Sequence, residues 1–483
     1  MSIIKQVIRY IPGTLIPALL TLLSTIVFTK ILTTSEYGIY MLGLSAINIL
    51  TSVFAEWLKQ SIARYLPGVE EDDKVINIKN SILISLFLLL VIILVISLLL
   101  TPIFFSNIYL YGIIVFSTIF NIFYFIFLVV LQSQLKAGMY SLFNLLLSVL
   151  KLIIPIFLIW LLENSAQQIL VGNMLALIIV TIPMFMYIKF DLLKALRSYN
   201  HLETNKQIKA FFSYGLPMLM FFLSAQLLNS GDRFIISFFY SSEQVGIYSA
   251  NYTLIYGGIG LVSTPFILAL SPIIMKYKKL NESSKVQNLI SKMTTYYLLG
   301  AIPVIVLIFL IGNEIVSLLI NNKYATSNQL IGVISIGFVL WQLSIYGHKV
   351  YEVSDKTFKM MIYSIITAVV NIFLNLIFVP IFGIVGAAWA TLISYLLYSG
   401  LVYYGSQKFL PWIIPWKIWI NIFLALILGL IGIYLITKCG FSSGTIVNKL
   451  VLFIVYLTIY ISYLLMFYWR KLKTLVKQRN GVY

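Results

Sequence analysis

Long apolar runs broken by short polar corners make up almost the whole chain. The run "NSILISLFLLLVIILVISLLL" at Asn80–Leu100 holds no charge at all. A helix needs about 20 mostly apolar residues to cross the hydrocarbon of a bilayer. Fourteen stretches meet that need, near 10–32, 38–62, 80–101, 104–131, 140–162, 166–188, 211–239, 246–274, 290–312, 328–350, 358–380, 383–405, 414–437 and 447–469. The turn between the eleventh and twelfth is tight and rests on "VPIFG" at Val379–Gly383. The pattern predicts an all-α integral membrane protein.

Composition agrees. Of 483 residues, 61% are hydrophobic and 10% charged, whereas a soluble domain is nearer half apolar and a quarter charged. The net charge of +18 is spread along the chain rather than gathered on one face or tail, which argues against nucleic acid. Lysine and arginine placement orients the spans, because cytoplasmic loops carry the excess. With the amino terminus inside, most of the 33 basic residues fall in cytoplasmic segments. Only Lys30, Lys323, Lys438 and Lys449 fall outside, with Lys151 and Arg233 within spans. Miscounting one span would invert every later loop, so this alternation supports fourteen and puts both termini in the cytoplasm. Lys5 and Arg9 precede a long apolar run with no small-residue cleavage site after it, which reads as a retained span. The single cysteine, Cys439, excludes an internal disulfide framework and a cysteine-based metal cluster. No Walker lysine or Gly-rich phosphate loop follows a strand pattern, which argues against an ATP-driven pump, and no metal-ligand spacing occurs.

One polar corner is written twice. "SEYGIY" at Ser35–Tyr40 and "SEQVGIY" at Ser242–Tyr248 are alike, and a shift of 208 positions puts Gly38, Ile39 and Tyr40 on Gly246, Ile247 and Tyr248. Six spans separate the copies, an even number, so both halves cross the membrane in the same sense. Parallel repeats of this kind predict two pseudo-symmetric lobes around a central cavity. The expected division is an N-terminal lobe, 1–190, a cytoplasmic amphipathic linker, 191–210, a C-terminal lobe, 211–405, and two extra spans with a basic tail, 406–483. Span 7 carries Gln226, Asn229, Arg233 and Ser237 on one face, and span 2 carries Ser45, Asn48, Ser52, Glu56 and Lys59. Polar stripes on apolar helices face a partner helix or a hydrated cavity rather than lipid. The expected cavity is lined by spans 1, 2, 7 and 8.

The charged residues within spans are the candidates for chemistry. Arg233 is expected to face the cavity; the alternative for Arg233 and its neighbour Asp232 is a structural ion pair, of the carboxylate with Lys30 or with another span. Its neighbour Asp232 is not its natural helical partner, since adjacent side chains diverge by about 100°. Lys151, in mid-span 5, is either a second cationic contact or a lone inter-helix hydrogen bonder. Glu56 is placed to pair with Lys59 or Gln60; it and Asp232 are the candidates for proton or ion coupling. Tyr256, near the cavity mouth with Tyr248 and Tyr252, is placed to stack on sugar rings or simply to pack. The candidate substrate contacts are thus Arg233, Asp232, Gln226, Asn229, Asn48, Lys59, Tyr256 and Lys151.

Three stretches carry a family resemblance: "ILTTSEYGIYML" at Ile31–Leu42, "GDRFIISFFYSSEQVGIYSANYTL" at Gly231–Leu254 and "IFVPIFGIVGAAWATLISYLL" at Ile377–Leu397. The chain resembles the polysaccharide-biosynthesis flippases, O-antigen-type carriers of the multidrug/oligosaccharidyl-lipid/polysaccharide exporter superfamily. The resemblance implies a transporter, not an enzyme, moving undecaprenyl-pyrophosphate-linked oligosaccharide from the inner to the outer leaflet of a bacterial plasma membrane by alternating access. It implies a cationic cavity, proton or sodium coupling with no other cofactor, and the polymerase and assembly proteins of surface polysaccharide as partners. Arg233 and Asp232 match the family's "DR" pair. A cation-coupled drug or metabolite antiporter of the same superfamily is the alternative, although carriers of cationic drugs favour acidic cavities. A membrane polysaccharide polymerase or glycosyltransferase should carry a sizeable outside loop with catalytic groups, and the outside loops here are short. A scaffold for biosynthetic enzymes would leave the charges within spans unexplained.

Overall fold

The structure is a computed structural model that describes residues 12–67, 72–103, 107–188, 201–413, 416–439, 441 and 444–480. Lys5, Arg9 and the first half of the expected linker lie outside the described residues. The chain is α-helical, with no strand among the described residues. In hydrocarbon the backbone has no water to bond, so a helix, which satisfies its own N–H and C=O groups, is the element this composition forces.

The helices are α1 (Pro12–Ile31), α2 (Thr34–Tyr65), α3 (Asp72–Leu100), α4 (Ile108–Ser133), α5 (Ala137–Leu161), α6 (Ala166–Ile188) and α7 (His201–Ser230). They continue as α8 (Asp232–Phe239), α9 (Ser242–Lys279), α10 (Ser283–Leu319), α11 (Asn328–Val353), α12 (Thr357–Ser406), α13 (Trp416–Lys438) and α14 (Ile446–Asn480). Twelve of these, among the described residues, are long and apolar enough to cross a membrane, with the 50-residue α12 counted once. The second half of the expected linker, 201–210, is helical and forms the first turns of α7 rather than a separate surface helix.

Helix α12 is two helices folded back on each other. Gly383 interrupts it with φ +60° and ψ −143°, a conformation that costs a side-chain-bearing residue dearly. Asn371 Nδ2 donates to Ser394 Oγ at 3.1 Å although 23 residues separate them. A Cβ on Gly386 would lie 2.2 Å from the carbonyl oxygen of Phe378. A straight helix would hold residues 23 apart about 34 Å from one another, so the chain reverses at Gly383. This is the expected tight turn between the eleventh and twelfth spans.

The chain divides into two compact units, one of Met1–Pro265 with Lys356–Ser394 and one of Phe266–Asp355 with Tyr395–Tyr483. The expected boundary at 191–210 lies inside the first unit, so packing divides the chain differently from the repeat. In the first unit α2 lies along α7 and α4, and α6 lies along α4 and α5. Leu58, Ile62, Ile126, Val130, Leu131, Val180 and Phe211 form its buried centre. Side chains on α3 such as Leu98 and Leu99 face outward, as lipid contact requires. In the second unit α13 and α14 pack side by side with Tyr456 against Gly429. Tyr460 OH on α14 donates to Leu299 O on α10 at 3.2 Å, and Lys449 pairs with Glu314.

The repeated corner explains itself within the first unit. A Cβ on Gly38 would lie 1.8 Å from Ser242 O, and one on Gly246 would lie 2.0 Å from Thr34 O. Each would also come within about 3 Å of the other glycine's amide nitrogen. The shift of 208 that carries Gly38 onto Gly246 also carries Thr34 onto Ser242, so the contact is reciprocal. The flanking polar pairs obey the same relation: Thr34 Oγ1 donates to Glu243 Oε1 at 3.4 Å, and Ser35 and Ser242 share a 2.6 Å hydrogen bond. The starts of α2 and α9 therefore meet as an isologous pair would in a two-fold dimer, and only glycine permits that approach.

Candidate functional site

The polar face of the expected seventh span does not sit on one helix. Helices α7 and α8 meet at Gly231, whose backbone keeps helical dihedrals (φ −68°, ψ −32°), and Asp232 opens the first turn of α8. That turn corrects the expectation that adjacent Asp232 and Arg233 diverge. Asp232 Oδ1 accepts the amide of Arg233 at 2.9 Å and lies 3.7 Å from its Nη1. The other carboxylate oxygen accepts Tyr248 OH at 2.5 Å.

Arg233 is 4% exposed and its donors are committed. Nε donates to Ser249 Oγ at 3.0 Å and Nη1 to Asn229 O at 2.7 Å. The guanidinium lies over the Tyr252 ring, 5.0 Å from its centre, a cation–π geometry. Tyr252 OH in turn donates to Asn229 Oδ1 at 3.0 Å. Gln226, one turn nearer the start of α7 and half-buried, donates to Ser230 Oγ at 3.0 Å. Tyr256 stacks on Tyr252 with ring centres 6.3 Å apart and planes 11° from parallel. Gln226, Asn229, Asp232, Arg233 and Tyr256 thus form one strip along α7, α8 and α9.

A second cluster lies on α2. Lys59 Nζ donates to Glu56 Oε1 at 2.7 Å, and Gln60 Nε2 to Glu56 Oε2 at 3.0 Å, as the i, i+3 and i, i+4 spacings predict. The ammonium also lies 5.5 Å from the ring centre of Phe125 and 5.7 Å from that of Phe222 on α7. Phe222 is one turn before Gln226, so an aromatic ring stands between this cluster and the strip. Asn48 is half-buried in mid-α2, and Lys151 is half-buried in mid-α5, one turn past Ser148. No described contact joins either to the strip.

Within this unit the helices that carry these polar faces touch one another in pairs. Leu22 of α1 fills the space beside Gly257 of α9, Trp57 of α2 stacks on Phe212 of α7 at 4.4 Å between ring centres, and Ser61 Oγ donates to Phe211 O at 2.7 Å.

Sequence reasoning missed a polar group in the α12 hairpin. Asn375 Nδ2 donates to Asn371 O at 2.9 Å, while Asn375 Oδ1 and Thr391 Oγ1 are buried and take no hydrogen bond among the described residues. The register that sets Asn371 opposite Ser394 sets Asn375 opposite Ala390–Thr391. The signal was the i, i+4 asparagine pair in "NIFLNLI", legible only once the hairpin supplies its partners. Such oxygens suit a hard cation. No cluster of three or more His, Cys, Asp or Glu occurs among the described residues.

Known proteins fall into line with this geometry. Over 178 residues the chain is 29% identical to "Probable flippase AglR" of Haloferax volcanii, 35% of this chain and 36% of that one. Over 190 residues it is 22% identical to "Probable low-salt glycan biosynthesis flippase Agl15" of the same organism, 39% of this chain and 40% of that one. The matched region thus spans well under half the length of these curated relatives. Among solved structures, the fold is similar to "Lipid II flippase MurJ, inward closed conformation", with TM-score 0.75 and 18% identity over 96% of this chain and 99% of that one. It is also similar to an inward-facing multidrug resistance MATE transporter of the MOP superfamily, with TM-score 0.66 and 15% identity over 83% and 97%. Residues 3–278, more than half of the chain, match the family described as "Polysaccharide biosynthesis protein". With the helical bundle, the doubled corner and this match in hand, the chain is a multi-pass membrane protein that belongs to the polysaccharide biosynthesis protein family.

Proposed function

We propose that the protein is a flippase that carries an undecaprenyl-pyrophosphate-linked oligosaccharide from the inner to the outer leaflet of the plasma membrane, for surface polysaccharide assembly. One observation carries the reading: polar groups, Glu56–Lys59 on α2 and Gln226, Asn229 and Tyr256 on α7 and α9, inside helices otherwise apolar. A charged, sugar-bearing head entering hydrocarbon loses its hydration, at a cost far beyond what thermal motion supplies. A strip of amide, hydroxyl and cationic groups replaces that hydration while the polyprenyl tail stays in lipid.

With both termini cytoplasmic, Glu56–Lys59 stands at the cytoplasmic end of α2 and meets the head first. Asn48 and Lys151 lie deeper. The halves 1–190 and 211–405 rock against each other, and the Gly38–Gly246 corner is the outer closure between them. Asn375 Oδ1 and Thr391 Oγ1 are buried oxygens that would serve a coupling sodium ion, and Asp232 is a separate candidate for ion coupling. Glu56 is the candidate proton carrier. Polymerase and assembly proteins would take the delivered glycan.

The test is complementation of a flippase-null bacterium, scored by which leaflet holds the lipid-linked oligosaccharide. Restored surface polysaccharide is the expected outcome. Lipid-linked glycan trapped on the inner leaflet despite normal insertion of the protein would refute the proposal.

A further inference from the structure

We infer that Tyr248, Tyr252 and Tyr256 of α9 form a braced ladder whose last ring, Tyr256, is a stacking platform for a sugar ring of the carried glycan. Gln226 is the hydrogen-bonding group beside it, and Asp232 and Arg233 are positioning residues. The inference rests on the flippase reading and says which groups touch the sugar rather than the pyrophosphate.

The three rings recur every four residues, so they lie on one face of the helix. Tyr248 and Tyr252 have ring centres 5.7 Å apart, and Tyr252 and Tyr256 lie nearly parallel. Exposure rises along the ladder, from 0% at Tyr248 through 3% at Tyr252 to 40% at Tyr256. The two buried rings are fixed by charge and hydrogen bonds: Tyr248 to Asp232, Tyr252 to Asn229 and beneath the Arg233 guanidinium. A buried ion pair spent on holding tyrosines is explained if the ring at the open end must be held in one orientation.

The open end is built for a flat ligand. Helices α7 and α9 run antiparallel here, with Tyr252 opposite Asn229 and Tyr248 opposite Asp232, which sets Tyr256 at the level of Gln226. One turn further along the same face of α9, a side chain at Gly260 would meet nothing within 4 Å, so space adjoins the ring. Gly257 points instead at Leu22 of α1. A sugar ring offers a face of C–H bonds to an aromatic plane and hydroxyls around its rim. A carboxamide, with two donors and an acceptor, meets those hydroxyls. A tyrosine, with only two side-chain torsions, offers its plane at little entropic cost.

The test uses purified full-length protein in lipid nanodiscs and two probes, undecaprenyl pyrophosphate alone and the same lipid carrying an oligosaccharide. Tyr256→Leu should weaken binding of the glycan-bearing lipid about fivefold and leave the sugar-free lipid unchanged, whereas Tyr256→Phe should keep both within about twofold. Gln226→Leu should show the same selective loss, and Tyr248→Phe, which unties the ladder from Asp232, a smaller one. The sugar-free probe reports folding of each variant. Equal losses for both lipids, or none for either, would overturn the platform while leaving the flippase reading in place. A wild-type protein that binds neither lipid would overturn the flippase reading, and the platform with it.

Discussion

Arg233 is a full charge at 4% exposure, and its environment says how it is tolerated. Carboxylate, hydroxyl, backbone carbonyl and aromatic face surround it, so its desolvation is offset locally rather than by a ligand. Removing one partner leaves the other buried and uncompensated, so Arg233→Ala should destabilise the fold by about 3–5 kcal/mol. Glycan export should be lost with it. The double change Asp232→Asn with Arg233→Gln should cost less than the two single changes summed, measured by thermal unfolding in detergent; strict additivity would mean the two do not interact. Glu56 presents a different case, half-buried and held by Lys59 and Gln60. Glu56→Gln should slow transport and change its pH profile in proteoliposomes, and an unchanged profile would return Glu56 to a purely structural role. The identity of these residues was legible in the sequence, because charge in an apolar run stands out. Their partnerships were not: at the first turn of α8 the Asp232 carboxylate folds back on the amide of Arg233, which brings it near the guanidinium, a contact that side-chain spacing rules do not foresee.

At the scale of elements, two close approaches decide the geometry. The reversal in α12 rests on Gly383, whose positive φ admits no side chain without strain, so Gly383→Ala should cost about 1–3 kcal/mol and lower the melting temperature. The corner of α2 and α9 offers a cleaner handle. Ser35 and Ser242 side chains already touch, so a Ser35→Cys/Ser242→Cys pair in a Cys439→Ser background is placed to form a disulfide. Oxidation should stop transport and a reductant restore it; transport that continues through the cross-link would show that this corner need not open. The turn and the corner were both readable as motifs, the first from "VPIFG", the second from the repeated "GIY". That the two corners touch one another was not, since a shift along a sequence carries no information about distance.

At the scale of the whole molecule, the expected number and direction of spans rest on lipid physics: a bilayer imposes length and apolarity on every crossing, and loop charge is what would orient it. The asparagine pair of α12 escaped notice because an isolated Asn on a membrane helix looks like ordinary interhelical glue until its partners are known. Orientation can be checked with the chain's own cysteine, which is exposed between α13 and α14. Loop charge puts Cys439 outside, so a membrane-impermeant maleimide should label it in intact cells. Protection until the membrane is permeabilised would invert the proposed topology.

The reciprocal glycine contact also bears on how the two halves can drift apart. Duplicated segments ordinarily accumulate changes independently, and these two have lost most of their likeness. At this corner each half is the other's steric boundary, so enlarging Gly38 must be answered by carving space around Ser242, and enlarging Gly246 by carving it around Thr34. Descendants of the ancestral segment are bound to covary here, a leash between copies that holds wherever the helices still cross backbone to backbone.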